Sequence, residues 1–229
     1  GHGMSEHMAG ILSAIMIRHT GQSLDLYAAA LGGQDVPRAL ASLRCLGTLR
    51  TPEALGLAEK GVSWPDAAVR RAAVRLVGRA PPMPTLPRIL ARGLRDGDAA
   101  VRAETLDAIE RQGLPGLAGT LAIWFEEAGF DACEPEERMR VVVLLASLDP
   151  AVATKHLVGR INTGLRYRVG EGVGDPDVHA WNRLAVEGLA LAATDEALEK
   201  LRSVRTHAAP ELRDRVGQVL VAAMRRNKS

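Results

Sequence analysis

The sequence contains few aromatic residues and few cysteines. Aromatic side chains make up 3% of the 229 residues, whereas 47% of the residues are hydrophobic, so the apolar content is mainly Ala, Leu and Val. Such a composition favours closely packed helices, because Ala and Leu have high helix propensity. The two cysteines, Cys45 and Cys133, are too few for a disulfide framework and are interpreted as buried thiols of a reducing compartment.

Long apolar runs and a strong net charge are also missing. No uninterrupted apolar run reaches the roughly 18 residues that suggest a transmembrane helix, so no membrane partner is expected. The net charge of +2 gives no overall field that would favour nucleic acid or a membrane surface. The charge is nevertheless uneven, with a net +4 over residues 1–100, −6 over residues 101–150 and +4 over residues 151–229.

One short motif occurs twice. The pentapeptide Asp-Ala-Ala-Val-Arg spans residues 66–70 and again residues 98–102, an interval of 32 residues. The apolar register continues beyond the motif, since Val74 corresponds to Leu106. A period in this range predicts a chain of stacked supersecondary units.

Helical periodicity, interrupted by short Gly, Pro and Asp breaks, predicts helices in pairs. The predicted hairpins span residues 23–49, 52–79, 84–112, 114–148, 150–193 and 195–226. An isolated hairpin cannot bury its apolar face, whereas stacked neighbours can. We interpret residues 1–7 as a tag remnant and disordered start, and residues 8–229 as one helical-repeat domain with a Gly-rich insertion at 163–175.

The repeated motif predicts specific structural roles. Asp66 and Asp98 stand where helix N-caps belong, with the carboxylate accepting from free amides of the first turn. Arg70 and Arg102 follow four residues later, so in a stack each could reach an Asp or a backbone carbonyl of the adjoining unit. These four residues are therefore predicted to tie the repeats together.

At this point the chain resembles the HEAT-repeat proteins, in particular the short-repeat class known as PBS-lyase HEAT-like. In that class the second helix begins with Asp, two or three small residues, Val-Arg and an Ala-rich stretch, as at residues 66–79 and 98–111. The resemblance implies an all-α fold, an α-solenoid of about six HEAT-like hairpins. It also implies a concave face, lined by the second helices, that binds proteins and less often nucleic acid, and it leaves the function open.

No catalytic or metal-binding motif emerges from the sequence. The six histidines are scattered, without His-x-x-x-His spacing, and there is no Cys-x-x-Cys pair. The His-Glu dipeptides by which some HEAT-like enzymes bind iron are missing as well, and no phosphate loop or nucleophile motif is present. We therefore expect a non-enzymatic protein without metal or cofactor.

The insertion is the first candidate for a binding site, because an insertion in one repeat often maps to the binding face. Tyr, Trp and Arg are common hot-spot residues at protein interfaces. The candidate partner-binding residues are Arg166, Tyr167, Arg168, His179, Trp181 and Arg183. The alternative is that Trp181 anchors the core while the arginines are solvated and the insertion is only a flexible connection.

A series of arginines on the second helices of the first repeats is the other candidate. If they share the concave face, they form a basic groove able to follow phosphates. The residues of this candidate groove are Arg38, Arg44, Arg70, Arg71, Arg75 and Arg79. Against nucleic acid stand the scarcity of aromatic residues and the acidic side chains of the following second helices, Glu104, Asp107, Glu136 and Glu137, which would repel a duplex. The alternative is that the arginines tie repeats together or are simply exposed to solvent.

We therefore predict a cytoplasmic, non-enzymatic scaffold or adaptor module whose concave solenoid surface binds another protein. The first alternative is a nucleic-acid-binding HEAT-like protein, similar to the HEAT-like DNA glycosylases, that uses the basic groove of the N-terminal repeats. Salt dependence of binding would distinguish the two, because a phosphate binder loses affinity steeply as salt rises. The second alternative is a small enzyme or lyase subunit, which a bound chromophore or metal seen by absorbance would reveal.

Overall fold

The computed structural model describes residues 23–49, 51–164, 176–208 and 210–226, and all their regular secondary structure is helical. The prediction of an all-α fold is thereby confirmed. A short 3-10 helix, Pro115–Leu117, precedes α7. In chain order the α-helices are α1 (Ser23–Gly32), α2 (Val36–Leu49), α3 (Pro52–Gly61), α4 (Ala67–Gly78), α5 (Leu86–Leu94), α6 (Ala99–Gln112), α7 (Ala118–Phe125), α8 (Ala128–Asp131), α9 (Pro135–Leu148), α10 (Pro150–Gly164), α11 (Pro176–Ala192), α12 (Asp195–His207) and α13 (Pro210–Arg226).

The helices form hairpins within two compact units, one ending at Gln112 and the other beginning at Gly113. The first unit contains the hairpins α1/α2, α3/α4 and α5/α6, and the second contains α7/α9, α10/α11 and α12/α13. Successive second helices contact each other in order, α2 to α4 to α6 and α9 to α11 to α13. This packing within each unit is of the solenoid type, and the described residues form the six predicted hairpins. The single repeat domain over residues 8–229 stays a prediction.

The 32-residue period appears in the contacts of the first unit. Gly61 of α3 packs against Ala73 of α4, and Gly93 of α5 packs against Thr105 of α6, which are the same positions one repeat later. A Cβ atom on either glycine would overlap the facing side chain. Glycine is therefore required here for the close approach of the first helix to the second.

The start of each repeated second helix is held by side chains in the same way. The Asp66 carboxylate caps α4 by accepting from the amides two and three residues later, at 2.8 and 3.3 Å. Asp98 does the same at the start of α6, at 2.9 and 3.1 Å. Arg70 and Arg102 donate to the carbonyls five and six residues before them, so both motif copies stabilise the turn between the paired helices.

Aliphatic side chains fill the seams between these helices. Val74 and Leu106, which correspond across the period, are 0% and 1% exposed. Trp64 is also buried, and its indole N–H donates to the carbonyl of Leu31 at 2.8 Å. This contact satisfies the indole N–H within the core, as a buried Trp requires. Among the described residues, no helix is long and apolar enough to cross a membrane.

Candidate binding cleft

Four of the six arginines of the predicted groove line one cleft in the first unit. The cleft has a volume of about 520 Å3 and lies between α2 and α4, reaching residues 80–81 beyond α4. Its arginines are Arg44 of α2, Arg71 and Arg75 of α4, and Arg79 at the end of α4. The three on and after α4 are four residues apart, which places them on one side of the helix at steps of about 6 Å.

The floor of the cleft is apolar. Leu40, Leu43 and Leu46 of α2 contribute to it, together with Leu76 of α4 and Leu55 of α3. Leu40 and Leu76 are only partly buried. No Asp or Glu is found among the described residues that line the cleft. The cleft therefore combines positive charge at its rim with apolar surface that a ligand could still cover.

Arg75 is partly neutralised by a carboxylate behind the cleft. Its Nε and Nη2 atoms donate to Glu104 Oε2 at 2.9 and 2.5 Å, and Glu104 is 6% exposed. The hydrogen bond with Glu104 raises the pKa of the Arg75 guanidinium; burial opposes this, and the charges of Glu104 and Asp107 add to it. Glu104, expected to face a bound duplex, is instead buried and bonded to Arg75.

The other two arginines of the predicted groove lie elsewhere. Arg38 is exposed near the start of α2, where its backbone amide donates to Asp35 at 3.0 Å, and it does not line the cleft. Arg70 turns toward the next hairpin and forms a bidentate pair with Asp96, at 2.7 and 2.8 Å. Arg70 thus joins successive hairpins, and the cleft contains four of the six arginines of the predicted groove.

The candidate residues of the second unit are only partly within the described chain. Arg166, Tyr167 and Arg168 lie outside the described residues, as does the side chain of His179. Arg183 is exposed on α11. Trp181 is partly buried and has two guanidinium groups over its ring, with the centroid 4.7 Å from Arg160 Cζ and 5.3 Å from Arg138 Cζ.

Trp181 also belongs to an aromatic cluster that the sequence pattern did not indicate. Its ring centroid lies 5.9 Å from that of Phe125 and 5.5 Å from that of Phe130, and Phe130 is 5.1 Å from Trp124. Arg160 also donates to the Phe125 carbonyl at 2.8 Å. These contacts hold α7, α8, α10 and α11 together, so they account for Trp181 as a packing residue.

Several titratable groups elsewhere in the described chain form local pairs. His156 Nδ1 lies 2.8 Å from Glu126 Oε1 on the surface of the second unit. No group of three or more His, Cys, Asp or Glu in the described ranges is arranged to hold a metal ion. The cleft between α2 and α4 is the candidate binding site, because it combines exposed arginines with partly exposed leucines.

No model of a known protein family matches this chain, and no curated protein sequence matches it. The interpretation of the cleft consequently rests on its own chemistry.

The arginines that line the cleft belong to the series predicted from the sequence, whereas the leucines of its floor were not predicted as part of a site. Leu40 and Leu76 each fit the helical spacing of their apolar neighbours, so the sequence pattern alone does not distinguish them from residues of the core. The feature of the sequence that could have indicated the floor is the width of the apolar stripe on α4. Leu76 lies between Arg75 and Val77 and extends the stripe of Val69, Ala73 and Val77 toward the arginine side.

Proposed function

We propose that this chain is a non-enzymatic protein-interaction module that binds a segment of another protein in the cleft between α2 and α4. The observation that carries the proposal is a rim of four arginines around an apolar floor, without a carboxylate among the described lining residues. Arginine next to surface that becomes desolvated is typical of interface hot spots. The cleft volume also lies in the range of concave ligand sites, roughly 300–1,000 Å3.

The proposal includes the HEAT-like nature of the repeats and a cytoplasmic location. The recurrence of the Gly61–Ala73 contact as Gly93–Thr105 supports a short helical repeat of 32 residues. The two cysteines are both free thiols, which is compatible with a reducing compartment. Display of a binding surface on stacked hairpins requires no reactive group, which agrees with the proposed adaptor role.

Nucleic acid is the less favoured ligand of the same cleft. A groove that follows a phosphate backbone needs several free cations in a row, and single-strand binders add aromatic platforms for the bases. Here Arg75 is engaged by Glu104, and no aromatic residue is among the described lining residues. An apolar floor contributes little to contact with phosphates but much to contact with a protein segment.

A display library of random peptides selected against the full chain tests the proposal. We expect the wild-type protein to enrich a family of related peptides. The double variant Arg71→Glu and Arg79→Glu should lose them, because it reverses two rim charges without touching the core. Arg92→Glu is the matched control, since Arg92 is exposed on α5 and does not line the cleft.

Enriched peptides that bind the double variant as well as the wild type would rule out the cleft as the binding site. A gel shift with duplex and single-stranded oligonucleotides at low and moderate salt examines the alternative. Binding that depends on Arg71 and Arg79 and weakens steeply with salt would support nucleic acid and contradict the proposal.

A further inference from the structure

Two guanidinium groups of the cleft are available to a ligand. Arg71 and Arg79 are exposed, and no carboxylate pairs with either among the described residues. Arg75, which lies between them, is engaged by the buried Glu104. The free positive charges are therefore eight residues apart along α4, which corresponds to about 12 Å at 1.5 Å per residue.

Apolar surface lies between these two charges and α2. Leu76 of α4 faces the cleft together with Leu40 of α2, and both are partly buried. A ligand that satisfies the cleft must present negative charge to the α4 rim and aliphatic groups to the floor. Charge complementarity of this kind selects the register and orientation of a partner.

The backbone of the ligand must also be satisfied. The walls of the cleft are helices, whose main-chain groups are already hydrogen-bonded, so no strand edge is offered to an extended peptide. An extended segment would lay its own N–H and C=O groups over leucine side chains, and burying an amide without a partner is costly. A helical segment bonds its backbone internally and presents side chains only.

Carboxylates on a helix can match the arginines. Residues four apart on a partner helix advance about 6 Å and stay on one face, as Arg71, Arg75 and Arg79 do on α4. Two acidic residues eight positions apart would thus face Arg71 and Arg79. A neighbouring stripe of leucine-like residues would then reach the floor.

We infer that the partner segment is an acidic amphipathic α-helix that lies along α4, with its carboxylates on Arg71 and Arg79 and its aliphatic stripe on Leu40 and Leu76. This inference rests on the proposed function and specifies the chemistry of the partner. Arg44 lines the opposite wall of the cleft.

The test uses the full chain and a synthetic fluorescent peptide of about 18 residues, long enough for a stable helix when bound. The peptide carries three glutamates at four-residue spacing beside a stripe of leucines. Fluorescence anisotropy is measured with the wild type, with the double variant Arg71→Gln and Arg79→Gln, and with Arg92→Gln as matched control. Far-UV circular dichroism verifies that each variant is folded.

We expect the double variant to bind about tenfold more weakly or worse than the wild type, and the Arg92→Gln variant to differ by less than about twofold. A peptide with glutamine in place of glutamate should lose affinity to a similar degree. A peptide with a central proline should also bind much more weakly, because proline breaks the helix. Leu76→Gln should weaken binding without altering its dependence on salt.

Equal binding by the wild type and the double variant would overturn the inference, and so would unchanged binding of the proline peptide. The library could instead yield peptides that depend on the cleft but lack acidic residues at helical spacing beside an aliphatic stripe. That result would contradict the inferred acidic helix and would still support the proposed function. If no library peptide binds in the cleft and the designed peptide does not bind there either, both the proposed function and the inferred acidic helix are contradicted. A change of oligomeric state in the double variant, seen by sedimentation, would identify a second copy of the chain as the occupant and also overturn the inference.

Discussion

At the scale of single residues, the contact between Arg70 and Asp96 joins successive hairpins. The side chains are 19% and 10% exposed, and Asp96 also accepts from the backbone amide of Asp98 at 2.9 Å. Burial by itself would raise the pKa of Asp96. The hydrogen bonds from Arg70 and the Asp98 amide, together with the charges of Arg70 and Arg102, outweigh it and lower that pKa below its ordinary value.

We predict that Asp96→Asn lowers the free energy of unfolding by roughly 1.5–3 kcal/mol at neutral pH, the range for hydrogen bonds to charged groups. Because the folded-state pKa is depressed, this stabilisation is present above the unfolded-state value, about 3.9, and is lost as the pH falls through the folded-state pKa. Urea unfolding of wild type and variant should show a constant difference above about pH 5 that narrows below about pH 4.

Glu53→Gln is a suitable control for this experiment, because Glu53 is exposed at the start of α3. Its effect should stay within about 1 kcal/mol. A difference between the wild type and Asp96→Asn that does not change on acidification would show that the carboxylate charge of Asp96 does not stabilise the fold.

Substitution of Glu104 should lower the stability of the fold but strengthen binding of the acidic peptide. Glu104→Gln removes the negative charge that engages Arg75, so Arg75 becomes a third free cation of the cleft. We expect the acidic peptide to bind several-fold more tightly, while the free energy of unfolding falls by about 1–2 kcal/mol. Anisotropy and urea unfolding measure the two effects, and weaker peptide binding would contradict the role given to Arg75.

At the scale of helices, close approach is decided by small residues. Gly78 ends α4 against Ala108 of α6, and a Cβ atom on Gly78 would overlap the Ala108 methyl group and lie 3.2 Å from its Cα. The Ala108 methyl group cannot rotate away, since it is fixed to the backbone of a packed helix. By contrast, Gly56 lies within α3 with no atom within 4 Å of the position of an added Cβ.

The two glycines should therefore respond in opposite directions to the same substitution. Gly78→Ala should destabilise the protein by about 1–3 kcal/mol, because it overpacks the contact between α4 and α6. Gly56→Ala should stabilise it by roughly 0.5–1 kcal/mol, because alanine has the higher helix propensity and nothing obstructs its methyl group. Thermal or urea unfolding measures the stability of both variants. Stabilisation by Gly78→Ala would contradict the prediction and mean that α4 and α6 can move apart at little cost in free energy.

The elements that could be predicted are those whose signals are local. Asp66 and Asp98 marked helix starts, and the spacing of Val74 and Leu106 marked buried faces, because capping and amphipathicity depend on residues within a few positions. The predicted hairpin at residues 114–148 begins with a 3-10 turn followed by α7, which ends at Phe125, and α8 lies between α7 and α9. The aromatic cluster around Phe130 brings together side chains of α7, α8 and α11. No pattern within a short stretch of sequence predicts such a cluster.

At the scale of the whole molecule, charge along the sequence is a poor guide to charge on the surface. Residues 101–150 carry a net −6, yet Glu104 in this segment is buried and bonded to Arg75. Of the arginine series, four residues line the cleft and Arg70 pairs with Asp96, and this division depends on which side of α4 each residue occupies. Helical periodicity predicts which residues share a face of a helix, but only the packing of the helices shows which residues that face contacts.

The grouping of the hairpins into two compact units predicts that destabilisation spreads locally. Gly188 of α11 faces Val142 of α9 and Leu157 of α10, so Gly188→Ala should overpack the second unit. Hydrogen exchange followed by mass spectrometry should then show faster exchange in α9, α10 and α11, while α2, α4 and α6 keep their wild-type protection. Stacked repeats open in contiguous groups, because each repeat is stabilised mainly by its neighbours. Uniform acceleration from α1 to α13 would instead mean that both units unfold as one cooperative body, and a substitution in either unit would then weaken the cleft as well.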